Sequence, residues 1–209
     1  MRGEGGLTET SRRASAQRGW HPSSARRILE IDAARTAPSG NGRRPMSARA
    51  FPVAALVLAH DAAESDAPRV AEVARAAAEV GATPVVVAAP FRLELPSASR
   101  LVRTRAGGSA IAAIRVGMAQ LTNTVARAAI VAHHGAAETS LVALLALVDE
   151  AKRSTDAIVA FERATLDGGV LVVPRDAWLE LVTLGEGGMS AVVARRRVVR
   201  VPAPPDTSA

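Results

Sequence analysis

A run of seven consecutive apolar residues, Val53 to Ala59, constrains the fold more than any other feature of this sequence. An apolar run of this length, bounded by polar residues, predicts a strand that is buried on both faces, as in parallel sheets. The polar loop 60–69 follows, and a helix is predicted to begin near Pro68. In open α/β folds, ligands are held beyond the carboxyl ends of such strands. We therefore expect a site in this loop.

Strands and helices alternate through the rest of the chain. Further strands are predicted at 84–89, 101–103, 127–132, 157–161, 170–173 and 198–201. Apolar residues at helical spacing predict helices between them, with helix starts at Asp66, Ser109, Thr139 or Ser140, Pro174 and Gly188. This alternation predicts an α/β protein, a three-layer α/β/α sandwich with a mostly parallel, Rossmann-like sheet.

Charge is distributed unevenly along the chain. Residues 1–50 carry ten Arg against four Asp or Glu, whereas residues 51–209 carry 16 basic and 16 acidic side chains. The whole net charge of +6 therefore belongs to the leading segment. We expect residues 1–50 to be a disordered basic segment, with Met46 as an alternative start, residues 51–205 to form one domain, and residues 206–209 to be a tail.

The composition restricts the partners of residues 51–205. A neutral body with 2% aromatic residues lacks the basic surface and the stacking side chains typical of nucleic-acid-binding proteins. The absence of cysteine excludes disulfides and thiolate metal sites and fits a reducing, cytoplasmic location. No apolar run is long enough to cross a membrane. We therefore expect neither nucleic acid nor a membrane as a partner.

Histidines follow two of the predicted strands. His60 and Asp61 follow the first strand, and His133 and His134 follow the fourth. We expect both strands to end at the same edge of the sheet, where these side chains and Glu138 can bind Zn²⁺ or Mn²⁺. Adjacent histidines tend to point apart, so one of the two is expected to ligate, and Asp61 and His134 are the predicted metal ligands. Alternatively, these are loop histidines in a crevice without a catalytic role.

A second candidate site is the turn Gly107, Gly108 and Ser109 at the start of a predicted helix. Free N–H groups and the helix dipole at such a position attract anions, and Arg103 and Arg105 lie close by in the sequence. The alternative is an ordinary tight turn with a serine cap. The run 195–197 of three arginines is expected to be a solvated turn.

Three stretches match the motifs of a known family. Gly108-Ser109 followed by residues 113–118 resembles a glycine-rich turn and Ser-Leu-Arg-x-Gly-Leu, with Ala113 in place of the serine. Residues 169–181 resemble a Gly-His-Pro-Val-Leu strand and its helix but have Gly169-Val170 where that motif has His-Pro, and residues 184–188 match Leu-x-Gly-Asp-x-Gly. Together, residues 51–205 resemble the MobA-like nucleotidyltransferases, in particular the molybdenum-cofactor cytidylyltransferases. The resemblance implies a fold of the nucleotide-diphospho-sugar transferase type.

The resemblance also implies an activity. Such enzymes hold a nucleoside triphosphate, CTP or GTP, with Mg²⁺ or Mn²⁺, and transfer the nucleotide to a phosphorylated cofactor of the molybdopterin type. By position, Arg69 and Asp61 would be catalytic, with Arg69 in place of the family's lysine. The residues that would contact the nucleotide are Leu58, Ala59, His60, Gly107, Gly108 and Ser109.

The sequence departs from the family in two loops. In the first loop, His60 and Asp61 stand where the family has Ala and Gly. After the fourth strand, residues 133–135 read His-His-Gly and lack the family's metal-binding Asp. Arg69 is the sole cation of loop 60–69 and faces three carboxylates, which repel a triphosphate unless a metal intervenes. Two hypotheses stay open, a divergent active nucleotidyltransferase and a non-catalytic relative that binds a nucleotide or a protein partner. The lost groups favour the second.

Overall fold

The computed structural model describes residues 51–165 and 168–205. The predictions for residues 1–50 and 206–209 fall outside these ranges. Within them, seven strands form one sheet. The strands are β1 (Val53–Leu58), β2 (Val85–Ala89), β3 (Ser99–Arg103), β4 (Ala128–His133), β5 (Ile158–Phe161), β6 (Val170–Pro174) and β7 (Val198–Val201). The helices of the described residues are α1 (Ala67–Glu79), α2 (Ala110–Leu121), α3 (Leu141–Arg153), α4 (Trp178–Val182) and α5 (Gly188–Val193).

Serine side chains cap the amino ends of two helices. Ser109 accepts a hydrogen bond from the N–H of Ala112 at 3.2 Å at the start of α2, and Ser140 accepts one from the N–H of Ala143 at 3.3 Å at the start of α3. Asp66 precedes α1 but does not cap it, because its carboxylate accepts the N–H of Ala63 at 2.8 Å. The helix start predicted at Asp66 agrees with α1, but the carboxylate closes the 3₁₀ turn Glu64–Asp66 and does not cap the helix.

The strand order is β3-β2-β1-β4-β6-β5-β7. β6 is antiparallel to β4 and β5, and the remaining pairs are parallel. The predicted mostly parallel sheet is confirmed. Because β1 to β4 run in the same direction, their carboxyl ends lie at one edge of the sheet, and this is the edge where a ligand is expected.

The sheet separates two apolar cores. One core contains α1 and α3 with alternate strand residues such as Ala55 and Val57, and the other contains α2, α4 and α5 with residues such as Leu56 and Leu58. The three-layer α/β/α prediction is therefore confirmed. None of the helices within residues 51–165 and 168–205 is long and apolar enough to cross a membrane.

Helix α2 lies very close to β1. A Cβ atom on Gly117 would overlap the side chain of Leu56, which is fully buried. The missing side chain at position 117 allows this approach. It also fixes where the amino end of α2, with the turn 107–109, lies relative to the sheet.

Candidate functional site

The backbone of the adjacent histidines is held by two neighbouring strands. His133 is the residue of β4 that pairs with Leu58 of β1. The N–H of His134 donates to the carbonyl of Leu58 at 2.9 Å, and the N–H of His133 donates to the carbonyl of Gly169 at 3.3 Å. The ends of β1 and β4 and the start of β6 therefore fix this pair at the carboxyl edge.

The Asp61 carboxylate lies among three imidazoles. Its Oδ1 is 3.0 Å from Nε2 of His133, 3.7 Å from Nδ1 of His134 and 3.8 Å from Nδ1 of His60. Ligand atoms of His60, Asp61 and His133 lie within 4.8 Å of one another, a spacing from which a metal ion can be held. We call these four residues the histidine cluster. The structure thus brings Asp61 together with all three candidate histidines, but the compact group contains His60 and His133 and not the predicted ligand His134.

Two expectations about this region differ from the structure. His133 and His134 do not point apart, because their ring centroids are 4.7 Å apart and both rings approach the same oxygen of Asp61. Strand geometry would separate them, but β4 ends at His133 and the chain turns there. Neither Glu138 nor the predicted ligand His134 belongs to the compact group found among the described residues.

The hydrogen bonds of the three imidazoles differ. The Nδ1 atom of His133 accepts the N–H of Gly135 at 3.2 Å, and its Nε2 contacts Asp61. The Nδ1 atoms of His60 and His134 are buried and have no hydrogen-bond partner. A buried polar atom without a partner is unusual in a folded protein and calls for an explanation.

Burial and neighbouring charges shift the pKa of two residues in the cluster. Burial lowers the pKa of His60, Asp61 raises it, and the other two histidines lower it further, with a net decrease. Burial raises the pKa of Asp61, but its own backbone N–H and the nearby His133 and His60 outweigh that effect and lower it. His60 is therefore neutral and Asp61 ionised near neutral pH, the forms in which both bind metal ions.

Asp66 is a neighbour of the cluster that the sequence did not place there. Its Oδ2 lies 4.0 Å from Nε2 of His134. The 3₁₀ turn Glu64–Asp66 brings the carboxylate back towards the strand ends. No motif signals this turn, although Asp66 was already visible as one of three carboxylates in the loop.

Arg69 connects α1 to the loop that follows β4. Its Nη2 donates to the carbonyl of Ala136 at 3.1 Å and to the hydroxyl of Thr139 at 3.2 Å, and its Nη1 pairs with Glu72 at 3.4 Å. The side chain is 45% exposed. The predicted catalytic role of Arg69 stays a prediction, and a phosphate would have to compete with these bonds.

The turn 107–109 has the geometry of a capped tight turn. Gly107 adopts a positive φ of 66°, and the N–H of Gly108 donates to the carbonyl of Arg105 at 2.9 Å. Arg103 and Arg105 are exposed. This geometry fits the alternative of an ordinary turn, and contact of Gly107, Gly108 and Ser109 with an anion stays a prediction.

The other predicted nucleotide contacts lie in the floor of the site. Leu58 and Ala59 are buried, so they can offer a ligand backbone atoms only. The carbonyl of Leu58 accepts from His134, and the N–H of Ala59 donates to the carbonyl of Ala88 at 2.9 Å. Of the three predicted nucleotide contacts at the end of β1, His60 is therefore the one whose side chain belongs to the histidine cluster.

The three arginines 195–197 do not form a free basic patch. Arg195 and Arg196 pair with Glu180, Arg196 also pairs with Asp176, and Arg197 pairs with Asp156. The expectation of a solvated turn is wrong for Arg196, whose side chain is only 19% exposed. The pairs with Glu180 join α4 to the segment between α5 and β7, and the pair of Arg197 joins that segment to the residues before β5.

No protein-family model and no curated protein matches the sequence, but solved structures match the fold. The protein Rv0371c of Mycobacterium tuberculosis H37Rv, in complex with manganese, superposes with a TM-score of 0.55 at 16% identity, over 74% of this chain and 90% of that one. Its homologue from Mycobacterium sp. strain JC1 gives a TM-score of 0.51 at 16% identity, over 72% and 86%. This chain shares their fold.

A third solved structure has the same architecture. The 4-diphosphocytidyl-2C-methyl-D-erythritol synthase of Anaerococcus prevotii DSM 20548 superposes with a TM-score of 0.51 at 8% identity, over 73% of this chain and 87% of that one. The predicted fold class, a Rossmann-like three-layer α/β/α sandwich with a mostly parallel sheet, is confirmed.

Proposed function

We propose that this protein binds a nucleoside triphosphate together with a divalent metal ion at the carboxyl edge of its sheet. It transfers the nucleoside monophosphate part to a phosphorylated acceptor. The observation that carries the proposal is the position of the Asp61 carboxylate among three imidazoles, at the edge where open α/β folds hold their ligands. Two imidazole nitrogens without partners indicate that the cluster is built for a further ligand.

The choice of metal and nucleotide is supported by proteins of the same fold. Rv0371c was crystallised with manganese, and the Anaerococcus prevotii protein is named a diphosphocytidyl synthase. Mn²⁺ and CTP are therefore the first pair to test, followed by Mg²⁺ and GTP. The MobA-like resemblance of residues 108–118 and 184–188 makes a phosphate of the molybdopterin type the first acceptor.

The proposed reaction is an exchange of phosphate bonds. An oxygen of the acceptor phosphate bonds to the α-phosphorus, the bond from that phosphorus to the oxygen bridging the β-phosphate breaks, and pyrophosphate leaves. A bound divalent ion supplies positive charge that stabilises the triphosphate and the departing pyrophosphate. The loop carboxylates of Asp61, Glu64 and Asp66 would otherwise repel the nucleotide, so binding should require the metal.

A second candidate function is nucleotide binding without transfer. The observation that favours it concerns Arg69. Its guanidinium already donates hydrogen bonds to Ala136 and Thr139, and these compete with any bond to a phosphate. Loss of one preorganised charged donor commonly costs about 10²–10³ in rate. The protein would then hold a nucleotide with its metal and release no pyrophosphate.

Pyrophosphate release separates these functions. The full chain is incubated with CTP or GTP, Mn²⁺ or Mg²⁺ and a molybdopterin-type acceptor. The variants Asp61→Asn and Glu79→Gln are assayed in the same way, and Glu79→Gln is the control because it changes an exposed carboxylate at the end of α1. Release that Asp61→Asn abolishes and Glu79→Gln retains supports transfer. Metal-dependent nucleotide binding without release supports the second candidate, and neither binding nor release contradicts both.

A further inference from the structure

We infer that His60, Asp61 and His133 hold one transition-metal ion and that His134 lies outside the ligand set. The inference rests on the proposed function, because it takes the histidine cluster as the cation site. It goes further by separating the ligands from their neighbour and by naming the class of ion that the ligands select. It also places the ligand after β4 at His133, where the sequence predicted His134.

The spacing of the side chains separates the ligands from their neighbour. Ligand atoms of His60, Asp61 and His133 all lie within 4.8 Å of one another. Within residues 51–165 and 168–205, His134 forms no such group with Asp61 and either of the other imidazoles. Two atoms bonded to one ion at about 2.1 Å can be no more than about 4.2 Å apart. His134 is therefore too far from both other rings to share an ion with them.

The atoms around the carboxylate are close to the spacing of a metal site. Neighbouring ligand atoms at about 2.1 Å from one ion lie about 3.0–3.4 Å apart. The Nε2 of His133 already lies 3.0 Å from Asp61 Oδ1, and the Nδ1 of His60 lies 3.8 Å from the same oxygen. Of these two separations, the one to His60 has to shorten, by about 0.5 Å.

His60 supplies a second observation that points to a ligand. Its side chain is 10% exposed, and its Nδ1 has no hydrogen-bond partner among the described residues. The separation of 3.8 Å from Asp61 is too long for a hydrogen bond. A buried nitrogen that faces a carboxylate at this distance gains a partner when a cation binds beside both.

His133 offers the ion a nitrogen that carries a proton before metal binds. Its Nδ1 accepts the N–H of Gly135 at 3.2 Å, so the neutral ring is protonated on Nε2 and donates to Asp61. When the ion bonds to Nε2, that proton leaves to water and Nδ1 takes one from water. Gly135 is exposed, so its N–H can donate to water instead. Metal binding therefore changes the tautomer of His133 without a net loss of protons from the ring.

The ligand set also selects the metal. Two imidazole nitrogens and one carboxylate suit Zn²⁺, Mn²⁺ and related ions, whereas Mg²⁺ prefers oxygen ligands and keeps much of its water. Three protein ligands leave coordination positions for other molecules, and oxygens of a triphosphate can occupy them. The cluster is therefore expected to bind transition-metal ions at concentrations at which Mg²⁺ does not bind.

Thermal unfolding with metal ions alone tests the selection. The metal-stripped full chain is melted with increasing ZnCl₂, MnCl₂ or MgCl₂ and without nucleotide, because an ion that binds only the folded state raises the Tm by mass action. We expect ZnCl₂ to raise the Tm at the lowest concentration, MnCl₂ at a higher one and MgCl₂ at the highest. No rise with ZnCl₂, or a rise with MgCl₂ at the same concentration, would contradict the inference.

Two adjacent substitutions test the ligand set. Glutamine stays polar but has no imidazole nitrogen, so His133→Gln and His134→Gln make the same change on a ligand and on its neighbour. We expect His133→Gln to weaken Zn²⁺ affinity by at least about 100-fold and His134→Gln by less than about tenfold. His60→Gln should match His133→Gln, and the control Glu79→Gln should bind Zn²⁺ like the unchanged protein. A loss in His134→Gln as large as in His133→Gln would overturn the ligand set, as would unchanged affinity in His60→Gln.

A measurement on the unchanged protein covers the case in which a variant does not fold. Long-range ¹H–¹⁵N NMR should show His133 protonated at Nε2 in the metal-free chain and at Nδ1, with metal on Nε2, in the Zn²⁺-loaded chain. The His134 ring should carry no metal in either state. Metal bound to His134, or His133 still protonated at Nε2 after loading, would contradict the inference.

These tests contain no nucleotide, so their outcome is separate from that of the proposed function. Metal binding through His60 and His133 without later CTP binding would contradict the proposed function and leave this inference standing. Metal bound to His134 with CTP binding retained would contradict this inference alone.

Discussion

At the scale of single residues, Gly117 sets the distance between α2 and the sheet. Its Cβ position is occupied by the side chain of Leu56, which is fully buried and cannot move into solvent. Valine has only a slightly higher helix propensity than glycine. The steric overlap with Leu56 therefore determines the effect of Gly117→Val on stability. We expect a loss of about 2–3 kcal/mol of stability, measured as a fall in Tm of roughly 5–10 °C.

The matched control is Gly185→Val. No atom lies within 4 Å of a Cβ placed on Gly185, so the same substitution there should leave the Tm nearly unchanged. If both variants melt alike, the close approach of α2 to β1 is not what makes position 117 sensitive.

Arg69 offers a second test at this scale. Its guanidinium bonds to Ala136 and Thr139 hold the loop after β4 against α1. We expect Arg69→Ala to lower the free energy of unfolding in urea by about 1–2 kcal/mol. Arg75→Ala on the same helix, where the side chain is exposed, should change it little, and an equal effect of the two substitutions would show that the loop contact contributes nothing.

The residues of the site were only partly accessible from the sequence. Asp61 and the three histidines could be placed at one edge, because each follows a predicted parallel strand. The partner of each ring could not be predicted, since the Gly135 bond to His133 and the turn at Asp66 depend on local backbone conformation. The same holds for Arg69, whose contacts come from a loop about seventy residues away.

At the scale of elements, ion pairs join α4 to the segment before β7. Arg196 binds both Glu180 and Asp176, and the bonds from Arg196 are the main cause that lowers the pKa of Glu180. A lowered carboxyl pKa contributes stability that is complete above the ordinary value for glutamate and is lost as the pH falls through the lowered value. The contribution should therefore be present at neutral pH and absent in acid.

We expect Arg196→Met to destabilise the protein by about 1 kcal/mol near pH 7. The difference from the unchanged protein should shrink as the pH is lowered towards about 3. Urea unfolding at both pH values measures it. Arg197→Met removes an exposed pair with Asp156 and should have little effect at either pH, and a difference for Arg196→Met that persists in acid would exclude the ion pairs as its cause.

Element boundaries followed from the sequence to within a few residues, because apolar runs and glycine or proline positions mark them. The direction of β6 in the sheet could not be predicted from the sequence. A strand buried on both faces, as β6 is, has the same apolar pattern in either direction. Its antiparallel place between β4 and β5 depends on the packing of the whole sheet.

At the scale of the whole molecule, six of the seven strands run in the same direction and end at one edge of the sheet, and the histidine cluster lies where β1 and β4 end. The fold itself is common to proteins whose sequences differ widely, as the 8% identity to the Anaerococcus prevotii synthase illustrates. The chemistry must therefore be argued from the cluster. In the proposed function, a metal ion held by the imidazoles would link the acidic loop 60–69 to a triphosphate.

Isothermal titration of CTP into the metal-stripped full chain, with and without saturating MnCl₂, tests this link most directly. We expect CTP to bind when Mn²⁺ is present and to show no measurable binding without it. Asp61→Asn should lose the Mn²⁺-dependent binding, whereas Glu79→Gln should retain it. Equal CTP binding with and without Mn²⁺, or unchanged binding in Asp61→Asn, would contradict the account.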